Sequence, residues 1–105
     1  VARSFSGDPA NTAQMIVEAI RHPGFSLLEI LSPCVTFRPE ERDWAKQVHP
    51  AAVDETSDRA RAARRVLTDD GFNTGILFRG DRAPYQPSVN LEVVSSVDFE
   101  TEFQP

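Results

Sequence analysis

The 105-residue chain predicts an α/β fold, and three stretches of its sequence carry that expectation. A capped amphipathic helical segment is broken by Pro-Gly and followed by a nearly continuous apolar run, half of a strand–helix–strand unit. A second helical segment farther on is closed by Asp-Gly. A short apolar strand then follows it. The length allows one small domain with a modest core and not two.

Each element has its own local reason. Val1–Phe5 reads as the tail of a strand, and the opening at Val1 without Met points to sequence missing upstream. Asp8-Pro9 starts a helix, with Asp8 as N-cap and Pro9 at N1, where its missing N–H costs nothing. Ala13, Ile16, Ala19 and Ile20 recur at helical spacing, with Val17 widening the stripe, and His22-Pro23-Gly24 stops it. Phe25–Leu31 is apolar enough to predict a strand buried on both faces. Ser32-Pro33-Cys34-Val35-Thr36-Phe37 follows at its carboxyl end, the edge of a parallel sheet where ligands sit.

Farther along, Arg38–Pro50 is charged and proline-punctuated, a loop with one turn of helix around Trp44. Asp54–Asp70 predicts a helix with Ala60, Ala63, Val66 and Leu67 on one face, closed by Asp70-Gly71. Gly75–Phe78 predicts a short strand, turned by Gly80-Asp81. Beyond Pro84 there is no helical period, and Val89–Val97 reads as an extended edge segment. The sequence shows no internal repeat and no low-complexity run.

Composition excludes several classes. Eleven basic against 16 acidic side chains give a net charge of −5, which argues against a binder of phosphate backbones. No apolar run approaches the ~20 residues of a membrane span. There is no basic, apolar leader, and the single cysteine excludes an intrachain disulfide. Together these point to a reducing, cytoplasmic setting with neither nucleic acid nor membrane as partner.

The residues that could carry chemistry are few. Cys34 reads either as a buried small hydrophobe or as a thiol at the sheet mouth that a ligand can reach. A nucleophilic cysteine wants a nearby histidine. His22 lies at the opposite end of the Phe25–Leu31 run, and nothing in the sequence fixes His49 beside the thiol. Glu40-Glu41 and Asp69-Asp70 read as solvated loop and helix-end charges rather than a catalytic dyad. Arg59, Arg61, Arg64 and Arg65 read as a solvated helix face. Trp44, in a polar loop, needs something to pack against: its own domain or a partner surface. A Gly-rich phosphate loop, a zinc-spaced Cys/His set and a nucleophile elbow are absent.

The stretch Gly24-Phe-Ser-Leu-Leu-Glu-Ile-Leu-Ser-Pro-Cys-Val-Thr-Phe37 resembles the C-terminal part of the β subunit of 2-oxoacid:ferredoxin oxidoreductases. Val1–Asp8 looks like the segment leading out of that family's thiamine-diphosphate domain. Ala60–Phe78, a helix ending in Gly-x-Leu-Phe, is similar to its C-terminal extension. The resemblance covers about residues 1–80, and Ser32–Phe37 is its most specific piece. Arg38 departs from it, standing where the family commonly has Asn.

What the resemblance implies is concrete. Residues 1–37 would end the thiamine-diphosphate-type parallel-sheet domain, and residues 38–105 would form the extension. The family's enzymes oxidatively decarboxylate a 2-oxoacid with thiamine diphosphate and Mg2+, pass electrons through a [4Fe–4S] cluster to ferredoxin, and transfer the acyl group to coenzyme A. Cys34 matches one of the four β-subunit thiolates that hold the cluster, which wants a thiolate per iron. The other three, and the thiamine site, belong upstream of Val1, so no catalytic residue is expected here. An α subunit is the expected partner. The hexapeptide looks like the two-subunit, 2-oxoglutarate-type enzymes. The competing expectation is a non-enzymatic interaction module with a buried structural cysteine.

Overall fold

The computed structural model describes residues 1–52 and 54–86. Strand β1 (Ala2–Phe5) leads into helix α1 (Pro9–Arg21), and β2 (Leu28–Leu31) returns beside β1. A 3-10 turn (Pro39–Asp43) and the short α2 (Trp44–Gln47) precede the two-residue β3 (His49–Pro50). Helix α3 (Arg59–Thr68) and β4 (Asn73–Ile76) follow. The four strands align in the order β2-β1-β4-β3. Pairs β1–β2 and β3–β4 are parallel, whereas β1–β4 is antiparallel. The protein is therefore α/β with a mixed sheet: the two strands of residues 1–37 pair in parallel, and β4 of the second half joins β1 antiparallel.

Local chemistry explains the first half. Asp8 Oδ1 accepts the Asn11 N–H at 3.0 Å, with Pro9 in the first turn, as an N-capped helix requires. The Thr12 hydroxyl donates to the Phe5 carbonyl at 3.1 Å and fixes the angle at which α1 leaves β1. Met15 is the buried residue of α1 and lines a small cavity together with Ala2, Leu27 and Ile76. After the helix, the Ser26 hydroxyl donates to the Ala19 carbonyl at 2.8 Å. That bond turns the chain back so that Ala2 N–H can donate to the Leu27 carbonyl at 2.9 Å.

The apolar run that follows α1 is shorter as a strand, and more exposed, than its composition predicts. Only Leu28–Leu31 is strand, and Phe25 is 87% exposed. Leu27 and Ile30 are exposed as well. β2 lies at the outside of the sheet and pairs only with β1 among the described residues, and each of its faces carries an exposed residue, Glu29 on one and Ile30 on the other. Hydrophobicity alone does not distinguish an edge from a centre.

The second half differs more. α3 begins at Arg59 under an Asp58 N-cap, whose Oδ1 accepts the Arg61 N–H at 3.0 Å, not at Asp54. Its buried residue is Ala62, while Val66 and Leu67 are exposed, so the expected apolar face is not the packed one. β4 starts two residues earlier than predicted. It carries Gly75 at φ +124° opposite Arg3, a backbone conformation that side chains with a Cβ adopt only under strain. Beyond it, Leu77 N–H donates to the Val1 carbonyl at 3.0 Å and Phe78 bridges to Thr56. The Val89–Val97 segment lies outside the described residues.

The buried apolar set is small: Ala2, Phe5, Met15, Ala62 and Leu77. Three polar side chains share the interior. Arg3 and Ser4 sit on β1, and Glu41 lies in the loop after β2.

Candidate functional site

Cys34 stands three residues beyond β2, at the strand's carboxyl end, and its side chain is exposed. The expectation of a buried, hydrophobe-like cysteine is thereby corrected. Pro33 removes one amide donor and stiffens the approach to the thiol. The Cys34 carbonyl accepts the amides of Phe37 at 3.2 Å and Arg38 at 2.8 Å, so the chain doubles back at once. Phe37 is pushed outward and is 85% exposed.

The group that closes this loop is Glu41. Its side chain is 5% exposed, which corrects the reading of Glu40-Glu41 as a solvated pair. One carboxylate oxygen accepts the Cys34 N–H at 2.8 Å, and the other pairs with Arg38 Nε at 3.0 Å. Arg38 also reaches Glu40 at 3.1 Å. Its guanidinium is held above the ordinary arginine range, first by the hydrogen bond to Glu40 and then by the charge of Glu41. Glu40 is held below the usual carboxylate range by its own backbone N–H and then by Arg38. Arg38 is thus part of the loop's fastening.

The remaining candidates lie in other arrangements. His49 pairs through Nε2 with Asp70 at 2.9 Å and through Nδ1 with the Pro50 carbonyl at 3.0 Å. Both of its ring nitrogens are therefore engaged away from Cys34. His22 lines the small cavity under α1, beside Met15 and Ser26. Asp69 is largely buried instead of solvated: it accepts from Asn73, from the Gly71 N–H and from Arg3. Arg59, Arg61 and Arg64 are exposed, as a solvated face requires, and Arg65 donates to the Asp54 carbonyl at 2.8 Å.

Trp44 packs on its own domain. Its ring meets Phe72 edge-on, with centroids 5.6 Å apart and planes at 76°. That contact joins α2 to the α3–β4 turn. Among the described residues no three His, Cys, Asp or Glu side chains converge as a metal site, so Cys34 offers a single donor. No described helix is long and apolar enough to cross a membrane.

Glu41 is the residue that sequence reasoning missed. Its principal partner is a backbone N–H, which leaves no trace in side-chain pattern. The only available signal was an acid seven residues after Cys34 with Arg38 between them. Comparison of the chain with protein-family models, curated proteins and solved structures finds no match in any of the three.

Proposed function

We propose that this chain is the C-terminal part of the β subunit of a 2-oxoacid:ferredoxin oxidoreductase, of 2-oxoglutarate type, in which Cys34 is one ligand of a [4Fe–4S] cluster. The observation that carries the reading is an accessible thiol, in a loop closed by its own backbone, at the carboxyl end of a strand. The Ser32–Phe37 motif and the parallel β1–α1–β2 unit beneath it support the same reading.

The donor chemistry fits as one corner of a cluster and no more. A cubane takes four thiolates, and this sequence holds one cysteine. The other three come from the preceding part of the subunit. When bound, thiamine diphosphate with Mg2+ and the cluster supply decarboxylation of the 2-oxoacid and one-electron transfer to ferredoxin, with the acyl group passing to coenzyme A. Residues 1–86 contribute a thiol donor, its loop, and a surface that adjoins the rest of the subunit and the α subunit. This is the work of a cytoplasmic enzyme, and the isolated chain is inactive.

Cys34→Ser in the intact enzyme tests the assignment. Serine oxygen is a harder and poorer ligand for iron, so the variant loses cluster absorbance and ferredoxin reduction. Unchanged iron and sulfide content would remove Cys34 from the cluster. Reading the open reading frame upstream of Val1 provides an independent check: a Cys-x-x-Cys with a third cysteine, and a Gly-Asp-Gly thiamine motif, must stand there.

A further inference from the structure

Glu41 is the one buried carboxylate among the described residues. An acid withdrawn from water is disfavoured unless its charge is paired and its oxygens are hydrogen-bonded. Here both conditions hold, and both partners belong to the Cys34 loop. Oε2 takes the Cys34 N–H at 2.8 Å, Oε1 takes Arg38 Nε at 3.0 Å, and the Glu41 N–H donates to the Arg38 carbonyl at 3.0 Å. The Cys34 carbonyl is meanwhile occupied by the Phe37 and Arg38 amides. Every backbone hydrogen-bonding group of Cys34 is thus satisfied from inside its own loop, while the residue itself stays exposed.

We propose that Glu41 is a positioning residue for Cys34: its carboxylate clamps the Cys34 amide and so fixes the backbone from which the thiol ligates, before any cluster arrives. The proposal rests on the reading of Cys34 as a cluster ligand. A hydrogen bond from an amide to a carboxylate is charge-assisted and stronger than one to a neutral acceptor. Ligand side chains held by such outer partners bind metal better than those left to rotate freely. The clamp also keeps the Cys34 N–H turned to carboxylate oxygen and away from sulfur. Arg38 plays the outer part. It neutralises Glu41 from a side chain that is itself 62% exposed.

Two substitutions separate reach from charge. Glu41→Gln keeps the length and an oxygen acceptor for the Cys34 N–H but removes the charge. Glu41→Asp keeps the charge but is one methylene too short to span the loop. Hydrogen–deuterium exchange of individual amides in the full 105-residue chain is the first readout. The Cys34 amide should exchange faster by about tenfold in Glu41→Asp, the factor that one net hydrogen bond represents, and stay within about threefold of the unmutated chain in Glu41→Gln. The His22 amide, bonded to Glu18 at the end of α1, should be unchanged in both and serves as a control outside the loop. A Cys34 amide that already exchanges at the open-chain rate, or that is indifferent to Glu41→Asp, overturns the clamp.

Iron and acid-labile sulfide retained by the cluster-loaded enzyme under a chelator are the second readout. Glu41→Asp should lose both faster than the unmutated enzyme, and Glu41→Gln, which keeps an acceptor without the charge, should lose them at a rate between the two. If Cys34→Ser empties the cluster while Glu41→Asp retains it normally, the positioning role fails and the ligand assignment stands. If Cys34→Ser keeps its cluster, the assignment fails and the positioning role falls with it.

Discussion

Arg3 and Glu29 occupy directly paired positions of the parallel β1–β2 ladder, and their side chains join at 2.7 Å. The guanidinium also reaches Asn73 of β4 at 3.1 Å and Asp69, just after α3, at 3.5 Å. One buried side chain therefore fastens three elements that are distant in sequence. Its surroundings explain why so polar a residue can sit in a small sheet: its contacts are carboxylates and an amide oxygen.

Arg3→Ala should destabilise the chain by about 2–3 kcal/mol, below the full cost of breaking a buried pair because Glu29 is half exposed. Glu29→Gln should cost less than about 1 kcal/mol for the same reason. Urea unfolding of both variants checks the ranking. Equal losses would mean that the exposed partner, not the buried arginine, organises the junction.

Ser4, the next residue on β1, makes the opposite case. It is fully buried, and its hydroxyl has no hydrogen-bond partner among the described residues. An unsatisfied buried hydroxyl is a cost, so Ser4→Ala should leave stability unchanged or raise it by up to about 1 kcal/mol. The melting temperature would show it. A loss larger than about 1 kcal/mol would reveal that the hydroxyl is satisfied after all.

These residues also mark what could be read in advance. The Asp8-Pro9 cap, the Pro-Gly stop and the Ser-Pro-Cys turn are local, so α1 and the position of Cys34 were legible. Burial of polar groups was not. Arg3 meets Asp69 across 66 residues, and Glu41 binds a backbone amide, so neither leaves a periodic signal. β3 went unseen because two residues with a proline carry no strand pattern. The exposure of Phe25, Val66 and Leu67 escaped for a different reason. Periodicity identifies an apolar face without saying what covers it.

His49 and Asp70 form a pH-sensitive contact between β3 and the α3–β4 turn, at 2.9 Å. The hydrogen bond to Asp70, then that to the Pro50 carbonyl, holds the imidazole above its ordinary value of 6.5. The hydrogen bond from His49 holds Asp70 below its ordinary 3.8. A raised histidine stabilises fully below 6.5, and that contribution is lost as pH rises through the folded value. A depressed aspartate stabilises above 3.8, and that contribution is lost as pH falls through its folded value. The pair therefore contributes most between about pH 4 and 6.5. The melting-temperature difference between the unmutated chain and Asp70→Asn should peak in that window and shrink as pH rises through the raised histidine value. A difference independent of pH would remove the ion pair as its cause. The pair is exposed, so added salt should also reduce the difference.

Trp44 and Phe72 decide how α2 is held against the α3–β4 turn, because their edge-to-face contact is the aromatic one between these segments. Such a pair contributes about 0.5–1.5 kcal/mol beyond the area it buries. Each single alanine substitution also loses that area, so the pairwise part is separated only by combining them. Trp44→Ala, Phe72→Ala and the double variant should show a coupling of about 0.5–1.5 kcal/mol in urea unfolding. A coupling near zero would mean that the rings touch without helping to hold α2. The same substitution bears on the subunit contact expected of this loop, since Trp44 keeps part of its surface in solvent. If the chain is the β subunit proposed above and that surface meets its α subunit, Trp44→Ala in the assembly should weaken association, seen by sedimentation, beyond what Phe72→Ala does. Phe72→Ala removes only the internal half of the contact. Equal weakening by the two would assign the whole effect to the lost packing of α2, and Trp44 would then serve its own domain alone.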